Sequence, residues 1–292
     1  MPDVVTAEAL PTADAFPTSL SPSRASDFTT CPLLFRFRSI DRLPEEPSPA
    51  AVRGTVVHRA LEWLFDLPAT QRDHEAARTL VQRALTELEE VSPAEADVLR
   101  PSAGAPAELE VDHLITGYFR LEDPRRLEPH AREVAVSALL EPAFEVRGFI
   151  DRVDVSPDGL VRIVDYKTGR APSEAHSGSA MFQMRFYALA WWRMTGEVPR
   201  MLQLMYLADA RSLRYEPDLE GLQATERRIL AVRDAIARAA DAGRFDPSPS
   251  RLCDWCSHRR LCPAQGGELP PLPPRAEWPT AITPRRGRVS PA

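Results

Sequence analysis

Lysine is almost missing from this sequence. Of its 36 basic residues other than histidine, all but Lys167 are arginine, and asparagine does not occur at all. With its abundant Ala, Arg and Pro, this is the composition of a G/C-rich genome, in which lysine and asparagine codons are scarce. Arginine has therefore been accepted wherever a positive charge sufficed. Position 167 is the exception, two places after an acid in the run Ile163-Val164-Asp165-Tyr166-Lys167-Thr168-Gly169. Guanidinium is a broad, permanently charged fork, whereas ammonium is a compact point charge with a tunable pKa. A position that keeps the point charge beside a carboxylate is a candidate active site. The chance that the surviving lysine falls at one arbitrary basic position is about 1 in 36.

Other absences exclude whole classes. No run of eighteen or more apolar residues occurs, and no basic stretch followed by an apolar one opens the chain, so neither a spanning helix nor a secretory signal is predicted and a cytoplasmic location is expected. No G-x-x-x-x-G-K-[ST] is present, which leaves any helicase to a separate polypeptide. The formal charge of −6 argues against gripping nucleic acid through a bulk positive field, yet it permits a local basic groove beside an acidic metal site. What is present suits an ordinary globular protein: 292 residues, 43% hydrophobic, enough for a sizeable core.

Punctuation organises the chain. Residues 1–18 and the proline-dense 264–292 read as flexible tails around an ordered region, 19–263. Ser21-Pro22 opens a short helix that closes before Pro32. Val56, Val57, Ala60, Leu61 and Leu64 recur at helical spacing, as do Leu80, Ala84, Leu85 and Leu88, and then Leu114, Ile115, Tyr118 and Phe119. The period changes at Glu133-Val134-Ala135-Val136, and Phe144, Val146, Gly148 and Ile150 alternate with polar neighbours. Ser156-Pro157-Asp158-Gly159 is a turn, so the strand from Leu160 to Lys167 returns antiparallel to the one before it. Met201–Leu207 reads as a further buried strand and Leu219–Ala240 as a long helix.

The hairpin brings chemistry together. Asp165 and Lys167 project from one face of their strand, and counting back through the turn places Asp151 opposite Asp165, within about one residue. Hard oxygen ligands such as Asp151 and Asp165 hold Mg²⁺ or Mn²⁺, and Lys167 can orient a water or offset charge during phosphodiester hydrolysis. An exposed Asp/Lys cross-strand pair is the plain alternative. By pattern alone His58 is an ordinary residue of an amphipathic helix. Gln183 and Tyr187 share a helix face that lines a groove or packs on a sheet, and Glu133 is an acid standing behind the metal ligands or a strand-edge carboxylate. The cysteines are Cys31 and the group Cys253-x₂-Cys256-x₅-Cys262, with proline after Cys31 and after Cys262. Such a set suits structural Zn²⁺ or an iron–sulfur cluster equally on chemistry alone.

These motifs resemble a known family. Gly148-Phe149-Ile150-Asp151-Arg152-Val153-Asp154 followed by Ile163-Val164-Asp165-Tyr166-Lys167-Thr168-Gly169 is similar to motifs II and III of the PD-(D/E)XK nucleases, in their RecB-like exonuclease branch. Gly54-Thr55-Val56-Val57-His58 resembles the branch's motif I, Gln183-Met184-Arg185-Phe186-Tyr187 its Q-x-x-x-Y helix, and Leu20-Ser21-Pro22-Ser23 leading to Cys31-Pro32 its amino-terminal signature. Ile150 stands where the superfamily's nominal motif has proline, but the branch carries G-x-x-D. The resemblance spans residues 19–263. It implies a restriction-endonuclease-type α/β fold, with a central mixed sheet flanked by helices, a helical N-terminal elaboration and a cysteine-clamped C-terminal segment. It further implies a metal-dependent DNA exonuclease of repair or recombination acting on single-stranded or duplex ends, alongside a helicase or other repair protein. His58, Asp151 and Asp165 would hold Mg²⁺ or Mn²⁺, Lys167 would act with them, and Gln183 and Tyr187 would flank them. Cys31, Cys253, Cys256 and Cys262 would hold a [4Fe–4S] cluster. The alternatives are an endonuclease, a nuclease of the CRISPR-adaptation type, and a non-catalytic iron–sulfur DNA-binding scaffold. Against the scaffold stands completeness: His58, Asp151, Asp165 and Lys167 are all retained.

Overall fold

Alternation of apolar and polar residues after position 143 makes a half-buried strand, and the structure, a computed structural model describing residues 16–99, 107–142, 144–172 and 178–279, bears this out. Strand β1 is Ser19–Leu20, β2 Ala131–Glu141 and β3 Phe144–Val155, along which buried and half-buried residues alternate from Phe144 to Ile150. Strand β4, Val161–Lys167, is buried at nearly every position, as its central place requires: β3 pairs with it antiparallel and β5, Met201–Tyr206, pairs parallel on its other side. Strand β6, Arg211–Tyr215, closes the order β1-β3-β4-β5-β6, and β2 pairs with β3. Because β1 lies parallel to β3, the sheet is mixed.

The turn between β3 and β4 forms where the sequence places it. Gly159 has φ of +82°, a left-handed conformation that glycine adopts without strain, and the Ser156 hydroxyl accepts from the Leu160 amide at 3.0 Å. Register follows from this turn. Arg152 faces Val164, a register that, continued by one step, leads to Asp151 opposite Asp165.

Helices surround the sheet. They are α1 (Pro22–Thr30), α2 (Pro32–Phe35), α3 (Pro49–Leu64), α4 (His74–Val91), α5 (Pro93–Val98), α6 (Ala107–Leu121), α7 (Gly178–Thr195) and α8 (Leu219–Asp241). Ser48 caps α3 by accepting from the Ala51 amide at 3.2 Å, with Pro49 at the first helical position. Val52, Val56, Val57, Ala60, Leu61 and Leu64 form its inner stripe and pack with α4 and α6 onto Val164, Tyr166, Met205 and Leu207. Helix α6 comes close to the strand end: a Cβ on Gly117 would lie 1.9 Å from the Leu207 carbonyl oxygen.

The residues group into two units, both drawing on the span 19–263. Among the described residues, one draws on 45–136 and 148–225, and the other on 16–44, 137–147 and 226–279. The tails read at 1–18 and 264–292 lie partly outside the described residues, but their inner ends are packed. Phe16 and Trp278 are buried and meet edge to face at 5.1 Å, and the Pro270 carbonyl accepts from Arg36 at 2.6 Å. Aromatic surface can be buried within a proline-rich segment without helical or strand periodicity, which is why composition alone reads these ends as tails. Strand β6 was not predicted, since its half-exposed residues carry little apolar signal. Among the described residues no helix is long and apolar enough to cross a membrane.

Candidate active site

Three side chains from three elements converge in the first unit described: His58 of α3, Glu133 of β2 and Asp151 of β3. Their ligand atoms all lie within 4.8 Å of one another, and they are the one trio of metal-ligating side chains so close among the described residues. His58 Nδ1 stands 3.4 Å from Asp151 Oδ1. Its Nε2 donates to the Tyr166 carbonyl oxygen at 3.0 Å, and a backbone carbonyl can only accept, so Nδ1 is the atom aimed at the carboxylates. An imidazole held at one nitrogen by a carbonyl and turned toward carboxylates at the other is oriented as a metal ligand would be. Asp151 Oδ2 accepts from the Tyr166 amide at 2.7 Å. One peptide, that of Tyr166, thus orients both side chains. Glu133 reaches the trio from a backbone with φ of +47°, a left-handed conformation that costs an L-residue about 1–2 kcal/mol and is found chiefly where function holds it.

Asp165 and Lys167 form the adjoining pair. Lys167 Nζ lies 2.7 Å from Asp165 Oδ2 and donates to Gln183 Oε1 at 2.8 Å. Gln183 in turn donates from Nε2 to Asp165 Oδ1 at 3.3 Å and to the Tyr187 hydroxyl oxygen at 3.0 Å. Of the two readings of this helix face, packing describes Tyr187, which is buried with its ring against Gly148, while Gln183 makes its hydrogen bonds within the polar site. A Cβ on Gly148 would lie 2.6 Å from Tyr187 Cε1, so the glycine three places before Asp151 exists for close approach.

Behind the site Arg152 is 1% exposed, and a buried cation requires partners. It donates to Glu122 at 2.5 and 2.9 Å, to the Tyr166 hydroxyl at 2.7 Å and, from Nε, to Asp154 Oδ2 at 3.3 Å. This network ties α6, β3 and β4 together at the tyrosine whose peptide holds His58 and Asp151. Sequence reading passed over Arg152 and Tyr166, although a charged residue at an otherwise inward strand position was the available signal.

Electrostatics separate the members. Burial would lower the His58 pKa, but the carboxylate of Asp151, then those of Asp165 and Glu133, overcome it and raise it to about 9. Burial would raise the Asp151 pKa, but His58, the Tyr166 amide and Lys167 hold it below the ordinary carboxylate value. For Asp165 burial wins, and its pKa stands above normal despite Lys167. Lys167 is driven down by burial and, more strongly, up by Asp165 and Asp151, so it stays protonated at neutral pH. Two carboxylates with opposite tendencies beside one fixed ammonium divide the labour of a hydrolytic site. The donor set of one imidazole and two carboxylates fits Mg²⁺ or Mn²⁺. It contains Glu133, which sequence reading left between two minor roles. Asp165 stands beside the trio, in ion contact with Lys167.

The second unit gathers the cysteines. Cys31, Cys253, Cys256 and Cys262 line one pocket with Leu33, Phe37 and Leu252, and none is in a disulfide. Backbone amides of Ser248 and Ser250 donate to the sulfurs of Cys31 and Cys253 at 3.4 and 3.3 Å. Burial, and after it the nearby Cys31, Cys253 and Cys262, raise the Cys256 thiol pKa. No three of these sulfurs all lie within 4.8 Å of one another.

Comparison with known proteins agrees with this geometry. No curated protein matches. A solved structure from Eubacterium rectale, described as a "Putative exonuclease", aligns over 87% of this chain and 94% of its own with a TM-score of 0.54 at 15% identity, a likeness of fold. A second, SSO0001, aligns over 85% of this chain and 87% of its own at 14% identity, with a TM-score of 0.38, too low to support an argument. The model of the PD-(D/E)XK nuclease superfamily matches residues 19–263, the span that contains the trio, the Asp165–Lys167 pair and all four cysteines. With its mixed sheet flanked by helices, this chain belongs to the PD-(D/E)XK nuclease superfamily.

Proposed function

We propose that this nuclease is a Mg²⁺- or Mn²⁺-dependent deoxyribonuclease of the RecB-like branch, degrading DNA from single-stranded ends in repair or recombination. The observation that carries the reading is the apposition of the His58–Glu133–Asp151 trio and the Asp165–Lys167 pair on one sheet end. His58 Nδ1, Glu133 and Asp151 would hold the ion, with Asp165 beside them. When bound, such an ion polarises the scissile phosphate and acidifies a water. The protein's own part is positioning. Lys167, fixed by Asp165 and Gln183, holds a positive charge where negative charge develops on the phosphate oxygens. Asp165, with its raised pKa, is suited to accept a proton from an attacking water beside Lys167. Tyr166 keeps the ligands in place through its peptide, and Arg152 and Glu122 keep Tyr166 in place.

The cysteine pocket supports a [4Fe–4S] cluster over zinc. Tetrahedral Zn–S bonds of about 2.3 Å place sulfurs about 3.8 Å apart, whereas a cubane holds its four thiolates further apart, and no three of these sulfurs all lie within 4.8 Å of one another. Amide donors to two of the sulfurs suit a cluster, whose charge they offset.

Purified protein incubated with end-labelled linear and with circular single-stranded DNA, in Mg²⁺ and in Mn²⁺, tests the proposal. Release of mononucleotides or short products from linear DNA alone is expected. Cutting of the circle would make it an endonuclease, and undiminished cleavage in EDTA would exclude the metal mechanism.

A further inference from the structure

The most exposed large apolar side chain among the described residues is Trp255, at 78%, followed by Leu139 at 64% and Leu252 at 60%. Trp255 and Leu252 belong to one five-residue turn, Arg251–Trp255, in the cysteine-bearing segment. Trp63, Trp191 and Trp278 are buried and Trp192 is half-buried, so Trp255 is the exception among the five tryptophans. An indole left in water, on a backbone anchored by Cys253 and Cys256 to either side, costs the fold apolar burial and gives nothing in return unless something covers it.

Charge indicates what covers it. Residues 251–260 carry Arg251, Arg259 and Arg260 against the lone carboxylate of Asp254, in a chain whose net charge is −6. Asp254 is taken by Arg259 at 3.0 Å. Arg251 and Arg260 are exposed and have no carboxylate partner among the described residues. An exposed aromatic face with uncommitted guanidinium groups nearby is suited to a polyanion that also offers flat rings, and single-stranded nucleic acid is such a ligand. A protein partner would have to place carboxylates opposite Arg251 and Arg260, whereas a nucleic-acid strand carries a phosphate at every nucleotide beside each stacking base.

We infer that the cysteine-clamped turn is a single-strand contact site, in which Trp255 stacks on a base while Arg251 and Arg260 neutralise flanking phosphates. The inference rests on the nuclease reading for its choice of ligand but not on catalysis. In that role the four-cysteine centre serves as an anchor that holds the turn rigid, so that stacking does not first have to order a loop.

The test uses the full-length protein with a twenty-nucleotide oligothymidine. Binding should quench and shift the tryptophan emission, and Trp255→Phe should remove most of that change. Trp255→Ala should weaken binding about 5- to 160-fold, the range for loss of one base–aromatic stack, with Trp255→Phe retaining most of the affinity. Arg251→Ala and Arg260→Ala should each reduce the salt dependence of binding by about 0.7 in log–log slope. Metal content and melting temperature of the variants serve as folding controls. Wild-type affinity in Trp255→Ala, or an unchanged affinity with an altered oligomeric state in sedimentation, would overturn the inference in favour of a protein-facing surface. If no preparation cleaves DNA while binding still depends on Trp255, the nuclease reading falls and the contact site stands.

Discussion

At Lys167 the demand is for a small cation. Its ammonium sits between Asp165 Oδ2 at 2.7 Å and Gln183 Oε1 at 2.8 Å, a gap that a planar guanidinium would enlarge. Lys167→Arg is expected to lower the cleavage rate by about 10² or more while DNA affinity changes little, as for loss of a transition-state contact. A near wild-type rate in the Arg variant would refute that role. Glu133 poses the opposite question, since its backbone is strained. Glu133→Gly should abolish Mn²⁺ binding measured by calorimetry yet leave the melting temperature unchanged or higher, because glycine accepts φ of +47° without penalty. Unaltered Mn²⁺ affinity would remove Glu133 from the ligand set. His58 adds a pH dependence. Its folded pKa of about 9 lies above the unfolded value near 6.5, so in metal-free protein its stabilising charge interaction is fully present below pH 6.5 and is lost as pH rises through about 9. A metal ligand must instead be neutral. Mn²⁺ affinity should therefore rise by up to about tenfold per pH unit toward pH 9, with up to one proton released per ion, and a pH-independent affinity would count against Nδ1 as ligand.

Between elements, two glycines set how closely helices approach the sheet. Gly148 on β3 admits the Tyr187 ring of α7, and Gly117 on α6 admits the Leu207 carbonyl. The obstacles differ in kind. A side-chain ring can rotate away at some cost, whereas a backbone oxygen 1.9 Å from a new Cβ requires helix and strand to separate. Gly148→Ala should destabilise by about 1–3 kcal/mol and disturb the Gln183–Asp165–Lys167 contacts, reducing cleavage in folded protein. Gly117→Ala should destabilise more without altering the site chemistry of whatever folds. Equal melting temperatures for the two variants in denaturation scans would show the packing to be looser than described. Arg152 and Glu122 act at the same scale, joining α6 to the hairpin through Tyr166.

For the whole molecule, the cysteines are a long-range constraint within their own unit. Cys31 is far in sequence from Cys253, Cys256 and Cys262, yet all four line one pocket. Protein purified without oxygen should be brown and contain about four irons per chain. Cys31→Ala should lose the colour and lower the melting temperature of the cysteine-bearing unit, because release of that ligand reopens a loop of more than two hundred residues and restores its entropy to the unfolded chain. A colourless protein containing zinc would retire the cluster, and cysteines dispensable for both metal and stability would retire the clamp.

The residue types, their spacing and the hairpin were legible in the amino-acid order because they depend on local rules. Side chains alternate along a strand, so Asp165 and Lys167 share a face, and the turn at Gly159 sets the register that brings Asp151 opposite. The solitary lysine and the spacing of the cysteines pointed to the chemistry before any contact was known. What only the tertiary structure decided were long-range coincidences. Glu133 joins His58 and Asp151 because β2 carries a strained residue at its start, and no periodicity encodes a positive φ. Tyr166 links His58 and Asp151 through backbone atoms, which every residue possesses and which no sequence pattern can single out. Arg152 is buried among partners from β3, β4 and α6, and Trp255 is exposed where an indole would ordinarily be covered. Burial is a property of neighbours brought from elsewhere in the chain, and it is settled only when the elements pack.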